Sequence, residues 1–253
     1  MTEPDPHVSR LHGDGRLSFR HRVRKPIADQ IPYLDGTRAA VSWQALVPAD
    51  AGRVEIEIGC GKGTFLKSAA LARPAAFFLG IEASPEYARY CADRLVRAGC
   101  HNGRLLADNA RVFVRDVVPE AAVDVFHIYY PDPWPKRRHR KRRLFQPGAE
   151  LELARALKDD GLLLVATDST AYFGEILTVL GQGEALRRDW TTEAELGDGV
   201  AGVAFVPTNF QIKYQKEGRT LHRAAFRRVP RAQAATGAAS IPTTVDSTTK
   251  PAP

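Results

Sequence analysis

Between Arg53 and Gly181, short apolar runs alternate with stretches of helical spacing. The runs are RVEIEIG (53–59), AAFFLGIE (75–82), RLLAD (104–108), AVDVFHIYY (122–130) and LLLVATD (162–168). Short, mostly apolar and bounded by Gly, Pro, Asp or Asn, they read as buried strands. The intervening stretches read as helices. In 63–73, Phe65, Leu66, Ala69 and Ala70 recur on one helical face. In 84–99, Ser84 is an N-cap, Pro85 takes the first helical position and Gly99 ends the helix. Further helices are expected over 109–118, over 147–161 with Pro147 at the start and Gly161 at the end, and over 169–181. Strands separated by helices predict an α/β fold: a doubly wound, mostly parallel sheet with helices on both faces. Such a sheet takes its ligand at the carboxyl ends of its strands.

The 253 residues and 44% apolar content suit one large domain with tails. Residues 1–30 are polar, basic and weakly periodic, so a flexible basic arm is expected there. The methyl- and hydroxyl-rich stretch 229–253 lacks large apolar residues and is expected to be a disordered tail. The folded domain is then expected over 31–228.

Charge changes the picture. The net charge is +7 and it is uneven. Residues 136–143 read KRRHRKRR, and Arg10, Arg16, Arg20, Arg22, Arg24 and Lys25 face a single nearby acid, Asp14. Basic charge this clustered predicts a polyanionic partner, RNA or DNA. Cys60, Cys91 and Cys100 have neither zinc-ligand spacing nor a disulfide framework, which fits a reducing compartment. No apolar stretch is long enough to span a bilayer, and the N-terminus lacks a signal-peptide core. The expected location is cytoplasmic, with a monomer or homodimer both compatible with the chain.

EIGCGKG (57–63) lies between a strand and a helix. Gly59, Gly61 and Gly63 permit a tight turn and close approach of a ligand. The phosphate-binding P-loop pattern fails, because Gly63 follows Lys62 where Ser or Thr is required. The dinucleotide fingerprint fits poorly, since the spacing is Gly-x-Gly-x-Gly. A third reading is the nucleoside end of S-adenosylmethionine. Glu82 ends the next strand about 20 residues on, where an acid accepts from ribose hydroxyls. Asn109 could meet an adenine edge, with Asp108 as competitor, and Glu57 could orient the donor's amino group. Each acid has a plainer alternative as a loop or capping carboxylate.

The fourth strand of the series runs into PDPWPKRRHRKRRLFQP, at the ligand end of the sheet. Pro131, Pro133 and Pro135 stiffen the loop, Trp134 is expected to pack against it, and Asp132 to point at the reaction centre. This segment, with EIGCGKG, GIE, ATD and TNF, resembles the bacterial tRNA (guanine-N7)-methyltransferase family over roughly residues 53–228. The resemblance implies a class I methyltransferase fold, S-adenosylmethionine as donor and a guanine in the tRNA variable loop as acceptor. It implies that Glu57, Gly59, Gly61, Gly63, Glu82, Asn109 and Asp132 line the donor site, with Asp132 the catalytic acid. It places Lys136, His139, Arg142, Asp168 and Thr208, Asn209, Phe210, Gln211 on the substrate. The family usually carries Glu where this chain has Gln211, which keeps an acceptor but loses charge. Arg140, Lys141 and Arg143 are expected to contact phosphates, His139 to add another such contact, and Asp168 has an alternative as helix N-cap. Two other readings stay open: a methyltransferase acting on another RNA base, and an RNA-binding relative without chemistry.

Overall fold

The computed structural model describes residues 33–37, 39–190 and 217–232. The chain begins with β1 (Tyr33–Asp35), α1 (Trp43–Leu46), β2 (Arg53–Ile58), α2 (Thr64–Ala72) and β3 (Ala76–Glu82). It continues through α3 (Pro85–Arg97), β4 (Gly103–Ala107), α4 (Ala110–Asp116), β5 (Val123–Tyr129) and a 3-10 helix (Arg137–Arg142). It closes with α5 (Ala149–Ala156), β6 (Leu157–Thr167), α6 (Thr170–Leu180), β7 (Leu186–Trp190) and β8 (His222–Arg228). One sheet holds all eight strands in the order β1-β4-β3-β2-β5-β6-β8-β7. The first six run parallel, while β8 is antiparallel to both its neighbours. This is the doubly wound, mostly parallel α/β sheet that the strand–helix alternation predicts.

Two apolar layers sandwich the sheet. On one face α2 and α3 bury Phe65, Leu66, Ala69, Ala88, Cys91 and Leu95. On the other α4, α5 and α6 bury Phe113, Leu153, Tyr172, Ile176 and Leu180. The caps of α3 are those expected: the Ser84 hydroxyl accepts from the Tyr87 N–H, Pro85 opens the helix and Gly99 follows it at φ 71°.

The sequence expectation fails at residues 157–161. The helix stops at Ala156, and β6 already begins at Leu157. Leu157 is fully buried and pairs with Val123 of β5, and the Lys158 ammonium bonds the Asp124 carboxylate at 2.8 Å. Helical propensity over ALKDDG loses to these strand contacts, a tertiary override. Three strands, β1, β7 and β8, also escape the apolar pattern. The first is three residues long, and the others, LRRDW and HRAAFRR, carry arginines that blur the alternation.

The α2/α3 face also holds a polar cluster. Glu55, fully buried, takes the Arg53 Nε–H at 2.7 Å, lies 3.0 Å from Arg73 and 2.7 Å from His127 Nε2. His127 Nδ1 lies 2.9 Å from the Tyr129 hydroxyl. Burial works against the Glu55 charge, but the hydrogen bond to His127 and the two arginines hold its carboxyl below the ordinary range. Burial pushes the His127 imidazole down. The Glu55 carboxylate can only accept, so Nε2–H donates to it, and in the neutral ring that burial favours Nδ1 accepts from the Tyr129 hydroxyl.

Beyond β8, the Val229 N–H donates to the Ala185 carbonyl, and Arg231 binds Glu120, Asp159 and the carbonyls of Arg155 and Leu157. Ordered contacts thus run past residue 228. The expected arm over 1–30 lies outside the described residues, as does the tail after 232. Among the described residues no helix is long and apolar enough to cross a membrane.

Candidate active site

The strand order reverses between β2 and β5: β2 is followed by β3 on one side, and β5 by β6 on the other. The crevice at their carboxyl ends is the switch point where such sheets take a ligand. Two loops flank it, 59–63 after β2 and 130–136 after β5.

Gly59, Gly61 and Gly63 have φ of 77°, 50° and 67°, a region L side chains avoid. A Cβ on Gly59 or Gly61 would meet nothing within 4 Å, so the loop presents bare backbone to open space. A Cβ on Gly63 would fall 1.9 Å from the Cys91 sulfur, so this glycine also lets α2 start against α3.

Glu82 holds the turn. Its Oε2 accepts from the Gly61 N–H at 2.8 Å and its Oε1 from the Ser84 N–H at 3.0 Å. The plain loop role foreseen for this acid is therefore real. A carboxylate has about four lone-pair sites, so two such bonds leave room for ribose hydroxyls.

Glu57 is different. It is buried on β2, and its Oε2 has no hydrogen-bond partner among the described residues. Burial pushes its carboxyl well above the ordinary range, nearby Cys91 and Glu82 add to the shift, and a backbone hydrogen bond from Leu66 opposes it. An unsatisfied buried carboxyl is costly and calls for a donor, best a cation. A ligand with a ribose diol and an ammonium fits this set: lone pairs on Glu82, an orphan acid at Glu57 and a bare glycine turn.

Asn109 caps α4, with its Oδ1 accepting from the Arg111 N–H at 3.1 Å. The residue is exposed. Asp108, its competitor, turns inward: Oδ1 takes the Asn109 N–H at 2.6 Å, and Oδ2 packs so near Gly36 that a Cβ there would be 2.6 Å away.

Asp132 is exposed in the 130–136 loop. Tyr130 and Trp134 on either side of it have φ of 53° and 38°, strained for non-glycine residues. The Trp134 ring lies edge-on to His139 at 5.6 Å and under the Arg142 guanidinium at 5.0 Å. It packs, as expected, but against the basic helix itself. Lys136 N-caps that helix, its carbonyl accepting from the His139 N–H. Lys136, Arg137, Arg138, Arg140, Lys141 and Arg142 are exposed.

Two expectations are corrected. Asp168 does not cap α6; the neighbouring Ser169 does, accepting from the Tyr172 N–H at 3.3 Å. Asp168 instead pairs with Arg219 at 2.7 Å. Arg143 is not a surface cation but is 6% exposed and bonded to Pro133, Trp134 and Glu175. Its inward turn is invisible in the sequence, where it reads as one more arginine of the run; only the apolar Leu144 and Phe145 that follow hint that the chain is diving inward. Thr208, Asn209, Phe210 and Gln211 lie outside the described residues.

The glycine turn, the acids Glu57 and Glu82, and the Asp132 loop beside a cationic helix form the candidate group-transfer site of this doubly wound sheet. A family model described as "Putative methyltransferase" matches residues 51–224. The tRNA (guanine-N(7)-)-methyltransferase of Acidithiobacillus ferrooxidans is 34% identical over 180 residues, 69% of this chain and 75% of that one. That of Rhizobium meliloti is 35% identical over 191 residues, 75% of this chain and 81% of its own. That of Rhodopseudomonas palustris is 32% identical over 228 residues, 87% and 88% of the two chains. The chain belongs to the tRNA (guanine-N7)-methyltransferase family.

Proposed function

We propose that this protein transfers a methyl group from S-adenosylmethionine to N7 of a guanine in the variable loop of tRNA, and that it does so in the cytoplasm. The observation that carries the reading is the placement of Asp132. It is exposed in the loop that leaves β5 at the switch point, with an exposed run of cations directly after it, and this supports the reading. Bound there, the donor supplies an electrophilic methyl. Glu57 would meet its ammonium, Glu82 its ribose, and Asn109 its base.

Guanine N7 bears a lone pair and no proton, so its attack needs no general base. The purine gains positive charge as the bond forms, and a carboxylate at Asp132 stabilises that charge. Asp168 keeps Oδ1 outside its pair with Arg219. It can accept from the guanine N1–H and 2-amino group, donors that select guanine. Alignment at ~3 Å supplies much of the rest of the rate. The exposed cations of the 3-10 helix hold phosphates while the base is drawn out of its tertiary contacts.

The test is methyl transfer from labelled S-adenosylmethionine to unmodified bulk tRNA, with the product nucleoside identified by mass. 7-Methylguanosine is the expected product. A different methylated nucleoside would discard the acceptor and keep the donor. One feature favours a second reading: Gln211 stands where the family usually has Glu. Donor binding and tRNA binding without any transfer would establish that reading, a tRNA-holding relative.

A further inference from the structure

Arg143 belongs to the basic run by sequence and to the interior by structure. Its neighbours Arg140, Lys141 and Arg142 are exposed. Its own guanidinium points inward and divides its N–H groups. Nε–H donates to the Pro133 carbonyl at 2.6 Å, and Nη2–H to the Trp134 carbonyl at 3.3 Å. Nη1–H donates to the Glu175 carboxylate on α6. The guanidinium carbon lies 4.8 Å from the centre of the Tyr172 ring, also on α6.

The two carbonyls belong to the residues that directly follow Asp132. On the other side, the Tyr130 N–H donates to the Ala166 carbonyl at 2.7 Å. Asp132 is thus suspended between one anchor on β6 and one on Arg143. The spans next to it include Tyr130 and Trp134 in the left-handed region, conformations that hold only when the surroundings impose them. On the downstream side, the Arg143 guanidinium ties two successive carbonyls of the loop to α6.

We infer that Arg143 is a positioning residue: seated on Glu175 and Tyr172, it sets the backbone that carries Asp132 and does not bind RNA phosphate. The inference rests on the reading of Asp132 as the acting carboxylate. A planar fork is required to reach two carbonyls and a carboxylate at once. Lysine keeps the charge but is a compact point donor and cannot span them.

The full-length chain would be compared with Arg143→Lys, Glu175→Gln and Lys141→Ala. In Arg143→Lys, kcat for tRNA methylation should fall on the order of 10- to 100-fold, the scale of a misplaced reacting group. KM for tRNA and the salt slope of tRNA binding should stay near wild type. Glu175→Gln should lower kcat in the same direction by less. Lys141→Ala, at an exposed cation of the same run, should raise KM and flatten the salt slope while kcat holds. Unchanged kcat in Arg143→Lys, or a raised KM with a flattened slope, would overturn the inference. A second readout needs no turnover. With 5-fluorotryptophan incorporated, the 19F line of Trp134, assigned through Trp134→Phe, should shift or broaden in Arg143→Lys while that of Trp43 stays. An unmoved Trp134 line, or equal movement of the Trp43 and Trp134 lines among the three tryptophans, overturns the positioning role. If the wild type makes no 7-methylguanosine, the functional reading has failed, and the Trp134 line still decides whether Arg143 holds the loop.

Discussion

Glu57 is the residue where stability and binding oppose each other most directly. Its carboxyl is buried with one oxygen unsatisfied, and burial lifts its pKa above the unfolded value. The folded state therefore holds this proton more tightly than the unfolded state. Its stabilising contribution is complete below the unfolded pKa and is lost as pH rises through the folded one. Glu57→Gln removes that loss. The variant without ligand should melt a few degrees higher than wild type at about pH 8 and show no gain at about pH 4. It should also lose most of its affinity for S-adenosylmethionine, measured by calorimetry. Asp132 carries the opposite expectation. It is exposed, so Asp132→Ala should leave the melting temperature unchanged. The rate of transfer should fall ~100- to 1000-fold with tRNA affinity held; full activity would remove Asp132 from the chemistry. These acids are legible in the sequence because each sits in or beside a turn at the end of a strand. What each one bonds to is not. Whether Ser169 or Asp168 caps α6, or whether Arg143 faces in or out, turns on a rotation of the chain that composition does not encode.

The 3-10 helix is the element proposed to meet RNA. Its exposed cations stand on a short helix held below by Trp134, and the Gln146 amide ties down the Arg140 carbonyl at 2.6 Å. Replacing Arg140 and Lys141 by Ala together should weaken tRNA binding and reduce the slope of log affinity against log salt by about 0.9 for each phosphate no longer neutralised. Filter binding at several salt concentrations checks this. An unchanged slope would place the RNA elsewhere. At this scale the sequence is a good guide where an apolar run is bounded by turn residues and a poor one where it is not. The strands β2 to β5 are short, mostly apolar runs bounded by turn residues. The boundary between α5 and β6 is not readable, because Ala-Leu-Lys-Asp-Asp satisfies a helix until Leu157 finds Val123 across the sheet.

For the molecule as a whole, β8 and the residues just after it close the fold. Arg231 fastens this segment to the end of α5 and the start of β6 through two backbone carbonyls, each at 2.9 Å, and it also pairs with two exposed acids, Glu120 and Asp159. The acids are screened and count for little. The carbonyl bonds should make Arg231→Ala less stable by about 1 kcal/mol, a drop of ~2–4 °C in melting temperature. A differential scanning trace with no shift would show the clasp to be idle. β8 also pairs on both sides, with β6 and with β7, although it follows both of them in the sequence. During synthesis, then, β7 emerges before the strand it will pair with, and β6 keeps an open edge until residue 228 has cleared the ribosomal exit tunnel. The sheet is completed late, by a strand that pairs with β6 and brings β7 into the sheet with it. A chain stalled before β8 would present the open edge of β6 and a wholly unpaired β7 segment to its neighbours, the state in which it is most exposed to chaperones and to aggregation.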